Sequence, residues 1–427
     1  MKLELGTFPV HTVRFGNRTA YQDGLLEVKR EEILDDICKD SRIRRAALEI
    51  VHPGDSVRIT RYRDVIEPRV KVEGPGVAYP GVCGRPVTTV GQGRTHRLAG
   101  VSVIEVADVP MYTGNDGWID TGFIDMAGPG AAASPFGSLV NLCLVMDVAS
   151  DLHIEDQNDA LHHATLLVQE RLAATTAALS PPATETFSDD QPIDPSLPRV
   201  VYIMGLRSPQ HYAGSLTALW TGVYGMTRLT PPWLLHPNEL LDTAISVRTS
   251  WVHANNPVAL GLARRHGKDL NFLGVIVMRT RWSAQNEKDL TSLQAAKLAA
   301  MLHAQGALVT YDAGGNDFLE IIRTVQECEH LGVKTVFMTF EEPPSTQGPA
   351  LLEPLPEADA IVSTGIGRSA RSGTDREELP PLARVIGALD LVADGGTRQG
   401  TLRADGPLPG ARFSDPYGFG RQSCFQY

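Results

Sequence analysis

From residue 199 onward the chain alternates short apolar runs with helical stretches of about ten to fifteen residues, and that alternation leaves little choice of fold. Val200–Met204, Leu273–Met278, Ala307–Tyr311, Val333–Phe340 and Ala358–Thr364 read as strands. Leu290–Gln305 and Phe318–Leu331 read as helices, each followed by a closing glycine, Gly306 and Gly332. Strand–helix–strand crossovers are right-handed, so they build a mainly parallel sheet with helices on its faces. The expected unit is a Rossmann-like α/β domain over 199–392.

Residues 1–179 read differently. Val10–Phe15, Leu25–Val28 and the alternating Asp55–Thr60 are short strand patterns, punctuated by Gly74-Pro75-Gly76, Pro80-Gly81 and Gly128-Pro129-Gly130. Leu139–Met146 is an apolar run broken only by Asn141, suited to a strand buried on both faces. Asp156–Leu179 then turns to Ala, Leu, Gln and Glu, the composition of a long helix. The expected fold class is therefore α/β, a β-rich N-terminal domain followed by the α/β domain. Residues 180–198 are rich in proline and acid and read as a linker. Residues 393–427 read as an irregular Gly-, Pro- and Arg-rich tail.

Charge and cysteine usage narrow the function. The formal net charge of −11, with no basic run, argues against a nucleic-acid partner. No apolar stretch approaches the roughly 18 residues needed to span a bilayer. The opening Met1-Lys2-Leu3-Glu4-Leu5 does not resemble a secretory signal, so a cytoplasmic location is expected. Cys38, Cys83, Cys143, Cys328 and Cys424 form no CxxC pair, which disfavours a disulfide framework and a cysteine zinc site. Positions 144 to 327, 184 residues, contain no thiol.

Several loops carry polar residues suited to chemistry. Gly91-Gln92-Gly93 introduces Arg94, Thr95 and His96, a cation, a hydroxyl and an imidazole able to hold a carboxylate or move a proton. Gly314, Gly315 and Asn316 follow a strand at the sheet edge where open α/β folds bind ligands, as does Gly365-Ile366-Gly367; a helix cap at Asn316 or Asp317 is the plainer reading. Neither loop is a nucleotide fingerprint. His253 and Asn255 precede Asn256-Pro257, which reads as a helix N-cap with proline in the first helical position. His162 and His163 project about 100° apart on a helix, so they do not share an ion, and a solvated helix face is expected for them. No metal site is expected.

Longer strings carry a resemblance. MKLELG (Met1–Gly6), PGDSVRI (Pro53–Ile59), DVIEPRVKVEG (Asp64–Gly74), GRTH (Gly93–His96), IDMAG (Ile124–Gly128), DTAIS (Asp242–Ser246), NNPV (Asn255–Val258), RHGKDLNFLGV (Arg265–Val275) and PEADAIVSTG (Pro356–Gly365) stand in order along the chain. By these strings the chain resembles the component B proproteins of glycine, sarcosine and betaine reductases, a family related to the D-proline reductase proprotein. The resemblance implies a chain that cuts itself at an internal cysteine to leave a pyruvoyl group, which captures the substrate amine. A partner's cysteine or selenocysteine then breaks the C–N bond.

That cysteine belongs between the segments matching Asp242–Ser246 and Asn255–Pro257. Here only Val247–Ala254 joins them, shorter than the family leads one to expect and inside the thiol-free interval. Serine-derived cleavage would have to use Ser246 or Ser250. It needs a strained turn, whereas Val247 and Trp251 favour extended chain. The expectation is an uncleaved subunit with no cofactor, a pyruvoyl arising only by serine-derived self-cleavage. It would act in a hetero-oligomer with a component B-type subunit bearing Cys or selenocysteine, on a small-molecule substrate. His253, Asn255 and His96 are the expected catalytic residues. Arg94, Thr95, Gly314, Gly315 and Asn316 are the expected substrate contacts. The alternatives are a non-catalytic structural or regulatory subunit and, lastly, a new metal-dependent chemistry, for which no spacing speaks.

Overall fold

The computed structural model describes residues 1–109, 123–190, 193–207, 222–225, 231–246, 249–280, 284–311, 318–341, 355–366, 368–369, 381–387, 412–413, 417, 419 and 423–424. In the first half, strands β1 (Lys2–Pro9), β2 (Ile43–Val51), β3 (Tyr62–Ile66), β4 (Arg69–Glu73), β5 (Gly93–Ala99), β6 (Val101–Val106) and β7 (Val140–Val148) precede one long helix, α1 (Ile154–Ala174). They make two sheets. One has the order β2-β7-β6-β3. Its inner strand β7 is buried from Val140 to Leu144, including Asn141, whose amide donates to Phe136 O at 2.9 Å. Across it, α1 lays Leu161, Ala164, Val168 and Leu172, spaced three and four apart, into a core shared with Leu142 and Leu144. Each such leucine is worth about 1.5–3 kcal/mol on burial.

The second sheet corrects the linker expectation. Residues 183–188 are not irregular; they form β8 (Ala183–Ser188), antiparallel to β1, in the order β8-β1-β5-β4. An edge strand needs few apolar residues, and Phe187 alone is buried in this one. Flanking prolines conceal so weak a pattern.

The second half is built as the alternation predicts. Strands β9 (Arg199–Arg207), β10 (Trp233–Leu235), β11 (Asn271–Thr280), β12 (Gly306–Tyr311), β13 (Lys334–Glu341), β14 (Ile361–Ile366) and β15 (Ser423–Cys424) form one sheet in the order β10-β11-β9-β12-β13-β14-β15. Its five inner strands are parallel, and β10 and β15 are antiparallel edges. Taken in chain order, the parallel strands stand 2-1-3-4-5, a doubly wound arrangement. Of the helices of this half, α2 (Ser250–Ala254) and α3 (Pro257–Arg265) precede β11, α4 (Gln285–Met301) precedes β12, and α5 (Phe318–His330) precedes β13. Gly332 turns left-handed after α5, with φ 81°. Gly306 does not cap α4: it opens β12, and the left-handed turn falls on His303 (φ 55°).

The tail expectation is also corrected where the tail is described. Ser423–Cys424 pairs with β14, and Tyr417 is buried. Arg384–Ile386 runs parallel to Val57–Ile59, adding a strand to the first half.

Candidate functional site

Two carboxylates stand on buried strands, Asp64 beside Arg63 on β3 and Glu105 among mostly apolar residues on β6. Asp64 on β3 stands opposite Glu105 on β6 in the antiparallel register, and neither is exposed at all. Helix α1 carries His162 onto the same spot, also fully buried, while His163 stays exposed. The expected solvated face therefore holds for His163 and fails for His162. The helix buries one side over the sheet, and His162 lies on that side.

His162 Nδ1 lies 3.0 Å from Glu105 Oε2 and 4.0 Å from Asp64 Oδ2. A carboxylate only accepts hydrogen bonds, so Glu105 fixes the ring proton on Nδ1 and leaves Nε2 as an acceptor. Arg63 Nε (2.9 Å) and Thr165 Oγ1 (3.1 Å) donate to the two oxygens of Glu105. Burial pushes the Glu105 carboxyl upward, but His162 and Arg63 outweigh it and hold the group below its ordinary range. For Asp64 burial dominates: despite the pull of His162 and of Ser250's hydrogen bonds, its carboxyl is pushed up to about 6.

The stretch between Asp242–Ser246 and Asn255–Pro257, where the resemblance leads one to expect a cleavage cysteine, closes this cluster. Ser246 ends the short strand Ile245–Ser246, and its Oγ lies 3.4 Å from His162 Nε2 and 3.1 Å from Ser250 Oγ. Ser250 opens α2; its N–H and its Oγ–H both donate to Asp64, to Oδ1 and Oδ2, each at 2.7 Å. A buried line thus runs Glu105–His162–Ser246–Ser250–Asp64, with one hydroxyl proton on Ser246 to serve two acceptors. Chemically, it pairs two hydroxyls with two bases in a closed, dry setting.

The backbone around it is constrained. Thr249 (φ 62°) and Thr243 (φ 69°) both sit in the left-handed region, where a β-branched side chain costs about 1–2 kcal/mol. Arg69 Nη1 donates to Leu241 O (2.6 Å) and Nη2 to Ala254 O (3.2 Å), so one guanidinium clips both ends of the segment. Trp251 packs edge-on against Phe136, ring centroids 5.6 Å apart.

The other expected site residues are dispersed. Arg94 pairs with Glu4 (Nε to Oε2, 2.9 Å), Thr95 Oγ1 donates to Asp242 (2.5 Å), and His96 Nδ1 donates to Thr176 O (2.9 Å). Asn255 Oδ1 accepts from Arg69 and Arg97, each at 3.2 Å. His253 lies edge-on to Tyr417, its Nδ1 buried without a hydrogen-bond partner, and burial pushes its pKa down to about 3. No hydrogen bond joins His96, His253 and Asn255 to one another. Gly314, Gly315 and Asn316 lie outside the described residues. Sequence reasoning missed Asp64, Glu105 and the role of His162. The legible signal was a charge inside Val101–Val106, where every other residue but Ser102 is apolar. Among the described residues no three His, Cys, Asp or Glu are grouped so as to hold a metal ion, and no helix is long and apolar enough to cross a membrane.

Comparison with known proteins agrees with the length and order of the matching strings. Residues 1–409 match the family described as glycine/sarcosine/betaine reductase component B subunits. The chain is 35% identical over 440 aligned residues to the betaine reductase complex component B subunit alpha of Peptoclostridium acidaminophilum, covering 96% of this chain and 95% of that one. It is 33% identical to the sarcosine reductase complex component B subunit alpha of the same organism, over 95% and 94% of the two chains. To the glycine reductase complex component B subunits alpha and beta of Acetoanaerobium sticklandii it is 32% identical, over 96% and 94%. No solved structure matches it significantly. With a match running nearly end to end, the chain belongs to the family of glycine/sarcosine/betaine reductase component B subunits.

Proposed function

We propose that this chain is a subunit of a glycine-, sarcosine- or betaine-reductase-like oxidoreductase complex that works as an intact polypeptide without a pyruvoyl group. The observation that carries this reading is the replaced segment itself: in a chain that matches the family over residues 1–409, no cysteine lies between positions 144 and 327. A cysteine-derived pyruvoyl does not fit there. The groups present are the buried Ser246 and Ser250 hydroxyls, tied to His162 and Asp64.

The sulfur or selenium nucleophile then comes from a component B-type partner in a hetero-oligomer. Burial pushes the Cys83, Cys143 and Cys328 thiols up, which leaves little thiolate at neutral pH. The small substrate forms no Schiff base with this chain. His253 is the expected site residue we assign to it, because its Nδ1 keeps an unused hydrogen-bonding position inside the rebuilt segment. Arg94, Thr95, His96 and Asn255 position their neighbours through the bonds given above.

Intact-mass spectrometry is expected to show one unsplit polypeptide; fragments split before Ser246 or Ser250 would replace this reading with a serine-derived pyruvoyl. Reconstitution with a thiol- or selenol-bearing component B subunit is expected to give reductase activity that neither protein has alone. A second reading, a non-catalytic structural or regulatory subunit, is favoured by the mutual satisfaction of the buried Glu105–Asp64 line. Unchanged activity of the complex after His253→Ala and Asn255→Ala would decide for it.

A further inference from the structure

A guanidinium drawn away from water calls for a negative charge beside it. Three arginines meet where the sheet β8-β1-β5-β4 packs against α2 and α3, and two of them have such a partner. Arg69 on β4 pairs with Glu67 (Nε to Oε2, 2.7 Å). Arg264 on α3 holds both oxygens of Glu185 on β8, at 2.7 and 3.0 Å. Arg97 on β5 has none. It stands in one cross-strand row with Thr7 of β1 and Arg69 of β4. Its Nε donates to Thr7 Oγ1 (3.0 Å) and its Nη1 to Asn255 Oδ1 (3.2 Å), both neutral acceptors. Among the described residues no carboxylate pairs with Arg97, and its Nη2 makes no hydrogen bond. The side chain is half-buried, yet Nη2 is not sealed from solvent. Burial pushes the Arg97 pKa below its ordinary value, with Glu67 and Glu185 opposing and Arg69 and Arg264 adding to it. A guanidinium nonetheless stays charged at neutral pH.

We infer that Arg97, steadied by Thr7 and Asn255, is the residue that anchors the small-molecule ligand, by holding a carboxylate. Three guanidiniums against two carboxylates leave this cluster one positive charge in excess. A monoanion cancels it. A phosphate dianion would leave a net negative charge beside Glu67 and Glu185. The donor geometry agrees, since Nη2 keeps both of its N–H groups and a planar guanidinium matches a planar carboxylate. Arg69 is completely buried and already neutralised by Glu67, so Arg97 is the member of the row that a ligand reaches. The expected contact Arg94 is ruled out of this role, because Glu4 already holds its guanidinium. Asn255 closes α2 two residues beyond His253, the residue assigned to the substrate above. The inference rests on that small-substrate reading and adds to it the residue that grips the anion.

Acetate is the probe, and saturation-transfer NMR of its methyl group on the full-length chain is the measurement. The buffer is low in salt and free of other carboxylates, so that screening does not mask the charge. Acetate is expected to give a saturable signal. Acetamide, the same shape without the charge, is expected to bind about ten-fold more weakly or less. Arg97→Gln is expected to weaken acetate binding about ten- to hundred-fold, the worth of a charge-assisted hydrogen bond. Arg97→Lys keeps the charge without the fork and is expected to weaken it about five-fold. It carries the test should Arg97→Gln fail to fold, with circular dichroism reporting the fold of each. No saturable acetate signal, equal binding of acetamide, or native-like binding by a folded Arg97 variant overturns the inference. Inorganic phosphate binding more tightly than acetate overturns the assignment of a carboxylate. The measurement needs neither a partner nor turnover, so a chain found split that still binds acetate through Arg97 upholds this site and overturns the intact-chain reading alone.

Discussion

Arg69 is completely buried, and its guanidinium ties three parts of the chain together: Glu67 at 2.7 Å, Leu241 O, and the adjacent Ala254 O and Asn255. Removing one member of a buried ion pair strands the other charge, so Arg69→Ala is expected to cost about 3–5 kcal/mol in urea unfolding. A loss under 1 kcal/mol would mean that the clip is idle. Two other buried groups give the stability a pH signature of opposite sign. His253 has a folded value of about 3, below its ordinary 6.5. As pH falls through that window the unfolded chain gains a proton that the folded chain refuses, and stability is lost. Asp64 has a folded value of about 6, above its ordinary 3.8. Its contribution is full below 3.8 and is lost as pH rises through 6. Melting temperature against pH is expected to lose its acid-side decline in His253→Gln and its loss between 3.8 and 6 in Asp64→Asn. Native-like slopes in both variants would refute the assignment. At this scale the sequence was partly legible: Glu105 stands out inside an apolar strand, whereas nothing local distinguishes His162 from His163.

Among the elements, β8 shows how little pattern an edge strand needs. Its backbone bonds to β1 from Lys2↔Ser188 to Thr7↔Ala183, and its one buried side chain, Phe187, joins a core with Leu3, Leu5 and Tyr202. Phe187→Ala is expected to cost about 3–5 kcal/mol, read as a shift in urea midpoint with unchanged slope. A surface-like cost would return residues 183–188 to the status of a linker. The helices and inner strands were far easier to read, because long 3.6-residue and continuous apolar patterns survive any local exception. The turn before β5 lies between these cases. Gly93 (φ 76°) is required there, since a Cβ would meet Glu73 O at 2.1 Å, yet in sequence it is one glycine among 40.

In the whole molecule the halves share their cores. Leu3, Leu5, Val90 and Phe187 from the first half pack with Tyr202, Met204, Val275 and Val277 from the second. Arg384–Ile386 returns to pair beside Val57–Ile59, and Arg69 binds the carbonyls of Leu241 and Ala254. Contacts so interleaved predict one calorimetric transition, with calorimetric and van't Hoff enthalpies equal; two separate transitions would show the halves to be independent. By itself the sequence determined the parallel sheet, the buried strand, the family and the thiol-free interval from 144 to 327, because periodicity, composition and string order are properties of the chain. Tertiary structure alone decided which polar residues form a site. Ser250 and Asp64 are 186 positions apart, and desolvation, hydrogen bonding and proton affinity depend on separation in space. Ser250, in sequence only one of two serines in a short connecting stretch, is in the fold tied through both its N–H and its hydroxyl to a buried carboxylate.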